Sequence, residues 1–351
     1  MSVHPDILDL TYPELEAAVT AQGHPPFRAR QLWQWLWRKG ARKFEEMTSL
    51  AGKFREELDR EWRIARPVLI NARQSEDGTV KLLLGLADGA SVETVLIAEK
   101  GRYTQCLSCQ IGCAMGCTFC STGLMGLTRN MTGGEIAAQV LAGRDYLRAH
   151  GLGSDVKNLV YMGMGEPLLN WEQVKRSLDI LTHAGGLDFS RRRITLSTCG
   201  IKDRLEVFSA EGLALPAISL HAPTQEIRAK LMPKAARRHL DDLMADLRAI
   251  ALRPRERVTI EYILIKGVND GLEHARQLAR LLSHLKCKIN LIAFNPGPGI
   301  PYEAPDPEDV QAFQDLLRRK NFTVILRKSK GQDIAAACGQ LKTEMDMQSP
   351  T

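Results

Sequence analysis

The sequence predicts an α/β protein: a small helical unit, a short β region, then a complete or partial barrel of parallel strands. Two observations carry that expectation. From about residue 158 onward, short β-branched stretches alternate with helical ones, the pattern of parallel strands joined by crossovers. Polar motifs then recur at the carboxyl ends of those strands, where barrel active sites collect.

Residues 12–62 read as helical. Pro13, Glu14 and Leu15 open one helix, a second runs from about Phe27 to Arg38, and a third from about Leu50 to Trp62. Gly23, Pro25, Pro26 and Gly40 punctuate them. Pro67 marks a change of pattern. Stretches 68–72, 80–86 and 91–98 read as strands, and Asp77-Gly78 and Asp88-Gly89 between them are hairpin turn signals. Later strand candidates are 158–162, 193–197, 217–220, 259–265, 288–294 and 323–326. Helical stretches lie near 133–149, 171–183, 201–211, 238–252, 272–285 and 307–320. The chain thus divides into a helical unit (1–65), a short β-hairpin linker region (66–98), a core (99–341) and a tail (342–351).

At 351 residues, 44% hydrophobic and 25% charged, the composition is that of a soluble globular protein. No apolar run is long enough to cross a membrane, and residues 1–10 lack a secretory apolar core, so a cytoplasmic location is expected. There, the eight cysteines are expected to serve metal binding or catalysis rather than disulfide scaffolding. The net charge of +6 is unevenly spread. Arg28, Arg30, Arg38, Lys39, Arg42 and Lys43 surround Trp33, Trp35 and Trp37, a mixture that suits phosphate contact and base stacking. A solvated basic face over a tryptophan core explains that cluster equally well. Arg191 to Arg193, and Arg327 with Lys328 and Lys330, form further basic groups.

Cys113, Cys117 and Cys120 are separated by three and then two residues. Three thiolates this close can wrap one iron–sulfur cluster and leave one iron open to a small molecule, since a fourth would saturate a four-iron core. Zinc, with Cys109 or Cys106 as fourth ligand, competes, and spacing alone leaves the two open. Gly112 and Gly116 favour the cluster by permitting tight turns around a bulky core. Phe119 adds an aromatic face able to cover a flat ring beside the metal.

The same cysteine spacing with Phe119, together with Gly163-Met164-Gly165-Glu166-Pro167, resembles the radical S-adenosylmethionine (SAM) signature. Closer still is the resemblance to that superfamily's RNA adenine methyltransferases, in particular the dual-specificity adenine-C2 branch. It is carried by Val92-Glu93-Thr94, Cys106, Leu196-Ser197-Thr198, Ser219-Leu220-His221, Phe294-Asn295-Pro296 and the block from Asp333 to Leu341 around Cys338. It covers nearly the whole chain.

The resemblance implies a partial (β/α)6 barrel and methylation of adenine C2 in 23S rRNA near the peptidyl-transferase centre and in some tRNAs next to the anticodon. It implies one [4Fe–4S] cluster on Cys113, Cys117 and Cys120, with SAM on the fourth iron and two SAM consumed per turnover. Gly165, Glu166, Ser197, Ser219, Leu220, His221 and Asn295 would surround SAM. Cys338 would take the first methyl and, as a methylene radical, add to adenine C2. Cys106 would resolve the adduct by pairing with Cys338, a thiol reductant would reopen that disulfide, and Glu93 would accept a proton. Further implied are a flavodoxin or ferredoxin as electron donor and a monomeric state.

Each residue also has an ordinary structural reading. Cys338 among alanines suits a small buried residue, His221 a satisfied strand-end histidine, Ser197 a helix cap and Asn295 a turn. Cys109 and Cys199 depart from the family pattern, as do Lys330 and Gln332, where an arginine and an acid are expected. Two other readings compete with the C2 assignment. One is methylation at adenine C8, conferring antibiotic resistance, against which the helical N-terminal extension argues. The other is a zinc-stabilised RNA-binding protein without catalysis, against which the Cys338 block argues.

Overall fold

The computed structural model describes residues 4–153 and 156–342, so the expected tail, apart from Lys342, lies outside the described residues. Helices α1 (Tyr12–Ala21), α2 (Pro26–Trp33) and α3 (Gly52–Glu61) form the amino-terminal unit. Glu14 Oε2 accepts from the Thr11 N–H at 2.8 Å and its hydroxyl at 2.7 Å, which fixes the start of α1. The second helix continues as a π-helical turn, Gln34–Lys39, and stops at Gly40, whose φ of 74° suits a residue without Cβ. That turn aims Trp33 and Trp37 into the core, at 1% and 0% exposure. Only Trp35 reaches the surface, with the Lys39 ammonium 3.5 Å from its ring centroid. The tryptophan-core reading of the basic cluster therefore holds for Trp33 and Trp37, and neither can stack on a base.

Strands β1 (Val68–Gln74), β2 (Val80–Gly85), β3 (Ser91–Glu99) and β4 (Arg102–Leu107) pair antiparallel in succession. Both Asp-Gly pairs form the turns between them, with Gly78 and Gly89 at φ of 82° and 86°. After β4 comes a small hairpin of β5 (Gln110–Gly112) and β6 (Leu127–Asn130), enclosing the cysteine loop and α4 (Ser121–Met125). Then α5 (Gly133–Ala149) leads to β7 (Val156–Tyr161), which lies parallel to β4. The parallel run continues through β8 (Ile194–Thr198), β9 (Leu215–Ser219), β10 (Val258–Leu264), β11 (Cys287–Ala293) and β12 (Val324–Arg327). Connecting helices are α6 (Trp171–Thr182), α7 (Arg204–Glu211), α8 (Gln225–Leu231), α9 (Leu240–Ala249), α10 (Leu272–Leu281) and α11 (Pro307–Arg319).

Strands β4 and β7 to β11 are each followed by helix, giving the six β/α units of the expected open barrel, and β12 adds a seventh parallel strand. The first unit begins one strand earlier than the sequence pattern suggests. In β4, Thr104 and Gln105 interrupt the apolar run, yet both are buried. The Gln105 amide donates to Thr94 Oγ1 at 3.1 Å and to the Gln139 carbonyl at 2.7 Å, so a polar residue fits a strand covered on both faces.

The amino-terminal unit is tied to α5 and α6. Arg176 reaches Glu14 at 2.6 Å, Arg42 reaches Asp145 at 2.8 Å, and Tyr12 stacks on His183 with centroids 4.3 Å apart. Among the described residues, no helix is long and apolar enough to cross a membrane.

Candidate active site

The cysteine loop is shaped by its hairpin. The Cys113 N–H donates to the Gly126 carbonyl at 2.7 Å, and a Cβ on Gly112 would stand 1.9 Å from that same oxygen, so only glycine closes the loop there. On the far side, the Thr118 N–H donates to the Leu231 carbonyl at 3.0 Å, seating the loop on the end of α8. Beneath it lies a separate apolar cluster that includes Met115, Phe119, Leu231 and Phe294. The Phe119 ring meets His221 edge to face, centroids 5.1 Å apart, so its aromatic surface is committed to the cavity wall.

Cys113, Cys117 and Cys120 line one cavity with Gly165, Glu166, Ser197, Ser219, His221 and Cys338. The seven-residue run from Ser108 to Ala114 brings the loop over the carboxyl end of β7. There Met164 donates to Ser108 Oγ at 2.8 Å, and Glu166 N–H donates to Gln110 Oε1 at 2.9 Å. A Cβ on Gly163 would lie 2.5 Å from Ser108 Oγ, and one on Gly165 2.7 Å from Gln110. Glycine is therefore required for the close approach of β7 to this segment.

Glu166 differs from the sequence expectation in what holds it. Its Oε1 accepts from the Leu168 N–H at 3.0 Å and the Thr198 hydroxyl at 2.6 Å, and its Oε2 from the Cys199 N–H at 2.9 Å. The Cys199 thiol is a further neighbour. Glu166 thus ties the ends of β7 and β8 together, and burial pushes its pKa up despite those donors. Glu261, on β10, was not singled out by the sequence. It lines the same cavity, is 3% exposed, and its Oε2 has no hydrogen-bond partner among the described residues.

Ser197 and Ser219, on neighbouring strands, place their hydroxyls 3.2 Å apart. His221 sits at φ 56°, and its Nδ1 accepts from the Ile263 N–H at 3.2 Å, which leaves the proton on Nε2. Burial, and then the nearby Arg228, push its pKa down to about 3, so the ring is neutral. Leu220 is fully buried, and its carbonyl accepts from Arg228 at 3.1 Å. Asn295 lies outside this cavity, in a smaller one next door that it shares with Arg327 and Cys338. Its Oδ1 accepts from Gln332 at 2.5 Å, while its Nδ2 is buried without a partner among the described residues.

Cys338 comes to this cavity on an irregular loop. The Ser121 N–H donates to the Gly339 carbonyl at 2.7 Å, and the Thr122 hydroxyl to the Leu341 carbonyl at 2.6 Å. All eight cysteines are free thiols, Cys106 and Cys338 included. Cys106 is buried on β4 behind the cavity, where burial, and then Cys338, push its pKa up to about 12. Arg327 lines the cavity too, and its charge is felt by both thiols and by Glu261. Glu93 does not reach this cavity. It opens on a second one, where it pairs with Lys81 at 3.0 Å and accepts from the Lys342 N–H at 2.9 Å.

The donor set suits an iron–sulfur core with a small cationic ligand. Burial pushes the thiols of Cys113 (to about 11), Cys117 and Cys120 up, so each needs a cation to become a ligand. Among the described residues, no three His, Cys, Asp or Glu side chains converge as one ion would demand, whereas three thiols spread around one cavity match a larger core. The unpartnered Glu261 oxygen is an acceptor that an ammonium group would satisfy.

Fold and site together define a radical SAM enzyme. Residues 107–282 match the radical SAM superfamily, whose members use SAM and a [4Fe–4S] cluster, and residues 5–64 match the ribosomal RNA large subunit methyltransferase N-terminal domain. A solved radical SAM methyltransferase from Sphaerobacter thermophilus superposes with a TM-score of 0.92 at 42% identity, covering 97% of this chain and 100% of that one. The dual-specificity RNA methyltransferase RlmN of Nitratidesulfovibrio vulgaris (strain DP4) is 58% identical over 96% of this chain and 94% of its own length. That of Solidesulfovibrio magneticus is 54% identical, over 97% of both. The chain belongs to the dual-specificity RNA methyltransferase RlmN family and is a radical SAM RNA methyltransferase.

Proposed function

We propose that this chain methylates C2 of an adenosine in 23S rRNA near the peptidyl-transferase centre and of one next to the anticodon in some tRNAs, relaying the methyl through Cys338. The observation that carries the relay is the placement of Cys338 on the wall that also holds Cys113, Cys117 and Cys120. Adenine C2 lies between two ring nitrogens and is too electron-poor to attack a methyl donor itself, so the carbon must arrive on another atom. SAM held at a cluster on those three cysteines supplies both a transferable methyl and a 5′-deoxyadenosyl radical, two molecules per turnover.

The chain's residues do the rest. The Cys338 sulfur accepts the first methyl and holds it where hydrogen can be removed from it. Neutral His221 presents Nε2–H, and Ser197 and Ser219 present hydroxyls, to the polar end of SAM. Glu166 fixes the strand ends around it, with Gly165 on the cavity wall, Leu220 buried behind it and Asn295 in the adjoining cavity. Cys106, on β4 behind the cavity, attacks the Cys338 sulfur and frees the product. The C–S bond breaks with its electron pair on the product carbon, which takes up a proton, and an external thiol reductant restores both thiols. Glu93 opens on the second cavity, so its role as acceptor of the adenine proton requires the base to extend from the Cys338 cavity into that one. A flavodoxin or ferredoxin supplies the electron. The unit 1–65 grips RNA, 66–98 links it to the core 99–341, and the enzyme works as a cytoplasmic monomer.

Digesting 23S rRNA and tRNA after incubation with the holoenzyme, and comparing nucleosides with 2-methyl- and 8-methyladenosine standards by mass spectrometry, tests this reading. 2-Methyladenosine in both RNAs is the expected result. 8-Methyladenosine would replace the C2 assignment.

A further inference from the structure

Arg228, on α8, is 1% exposed and forms no ion pair with a carboxylate among the described residues. Among the described residues, its two terminal nitrogens donate to carbonyls only, Leu220 at 3.1 Å and Cys199 at 2.8 Å, and its Nε has no partner. A buried cation held this way is expensive, since carbonyl dipoles replace water without neutralising the charge. Arg228 holds the carbonyl of Cys199, which lines the cavity with Cys117, and that of Leu220, next to His221, while its own helix ends at Leu231, which accepts from the Thr118 N–H beside Cys117. The hydrogen bonds alone do not account for an arginine, because a neutral donor could bridge two carbonyls at lower cost.

We propose that Arg228 is the buried counter-charge of the iron–sulfur cluster, a positioning residue that favours the cluster's reduced state from behind Cys117. Three thiolates leave an oxidised four-iron cluster with net negative charge, and reduction by one electron from the external donor adds to it without any proton. A fixed positive charge in a poorly screened interior stabilises the more negative state more strongly. Arg228 also ties the ends of β8 and β9 together, so the charge and the SAM-facing backbone move as one body. This inference rests on the cluster reading given above.

The test is an EPR-monitored redox titration of anaerobically reconstituted protein, with iron content measured in parallel. Wild type, Arg228→Gln and Arg228→Lys are compared. The expected result is a lower midpoint potential in Arg228→Gln at full iron loading, with Arg228→Lys close to wild type although it loses the forked contact to two carbonyls. An unchanged potential in loaded Arg228→Gln would overturn the proposal. If Arg228→Gln takes up no iron, Arg228→Lys decides alone: a wild-type potential supports the charge role, and a lowered one despite the retained charge refutes it. A wild type without iron would instead defeat the cluster reading itself.

Discussion

The cavity floor and the Cys338 loop meet at one site but are built in opposite ways. The floor is made of strand ends stitched by buried bonds: Glu166 to Thr198 and Cys199, Met164 to Ser108, and glycines where the backbones nearly touch. The loop has no regular structure and hangs on contacts from four distant elements. Ser75 donates to Asp333 at 2.6 Å, Lys81 to the Ala335 carbonyl at 3.1 Å, Ser121 to Gly339 at 2.7 Å, and Lys342 N–H to Glu93 at 2.9 Å. Each such bond contributes roughly 1 kcal/mol, and each can break singly. The floor suits a fixed cofactor platform; the loop suits a residue that must visit more than one partner.

The largest effect that would sharpen this contrast comes from the floor. Cys113→Ala should abolish iron retention and methylation of both RNAs, read by iron assay and by absorbance near about 400 nm, while leaving the loop's contacts intact. Glu166→Gln replaces an acceptor with an amide that faces N–H and O–H donors. It should cost about 2 kcal/mol of stability, measured by denaturant unfolding, with SAM affinity falling alongside. His221 supplies a pH test. Its pKa is about 3 in the fold against 6.5 when free, so the unfolded chain binds the extra proton between those values. Stability should therefore be complete above 6.5 and fall toward pH 3, by at most about 1.4 kcal/mol per pH unit, and His221→Asn should flatten that slope.

The loop should respond more mildly. Asp333→Ala removes the acceptor for Ser75 and for the Glu76 N–H. It should lower stability by about 1 kcal/mol and speed alkylation of Cys338 without changing iron content. An equal loss of iron would erase the distinction between the two regions. Smallest of all, Glu14→Gln removes the ion pair between the amino-terminal unit and α6. Arg176 holds the Glu14 carboxyl down to about 2 from its usual 4.5, so the contribution is present above 4.5 and lost as pH falls through 2. With Glu14 side chain 43% exposed, the loss should be at most about 0.5 kcal/mol, read as a small shift in Tm.

Much of this was legible in the sequence because it depends on short-range chemistry. Three cysteines on one loop, glycines at positive φ and strand ends marked by polar residues are local facts. With the alternation of strand and helix they point to a parallel α/β barrel, while the RNA methyltransferase family was legible only as a resemblance carried by longer motifs such as the block around Cys338. What was not legible depends on partners far along the chain. Strand β4 hid behind Thr104, whose partner Asn158 is on β7, and Gln105, whose partners come from β3 and α5. Arg228 and Glu261 carry no mark in the sequence, and only their burial sets them apart. Glu166 carried the right motif, but its protein donors Thr198 and Cys199 lie over thirty residues away. The extra thiol of Cys199 finds its place as a neighbour of that carboxylate, and Cys109 as a buried thiol beneath the cysteine loop.

The most direct test of the account is intact-protein mass spectrometry with peptide mapping of Cys338, in wild type and in Cys113→Ala, both expressed with iron supplementation. The account predicts a methyl group on Cys338 in the wild type and none in the variant. An unmodified Cys338 in fully loaded wild type given SAM would contradict it.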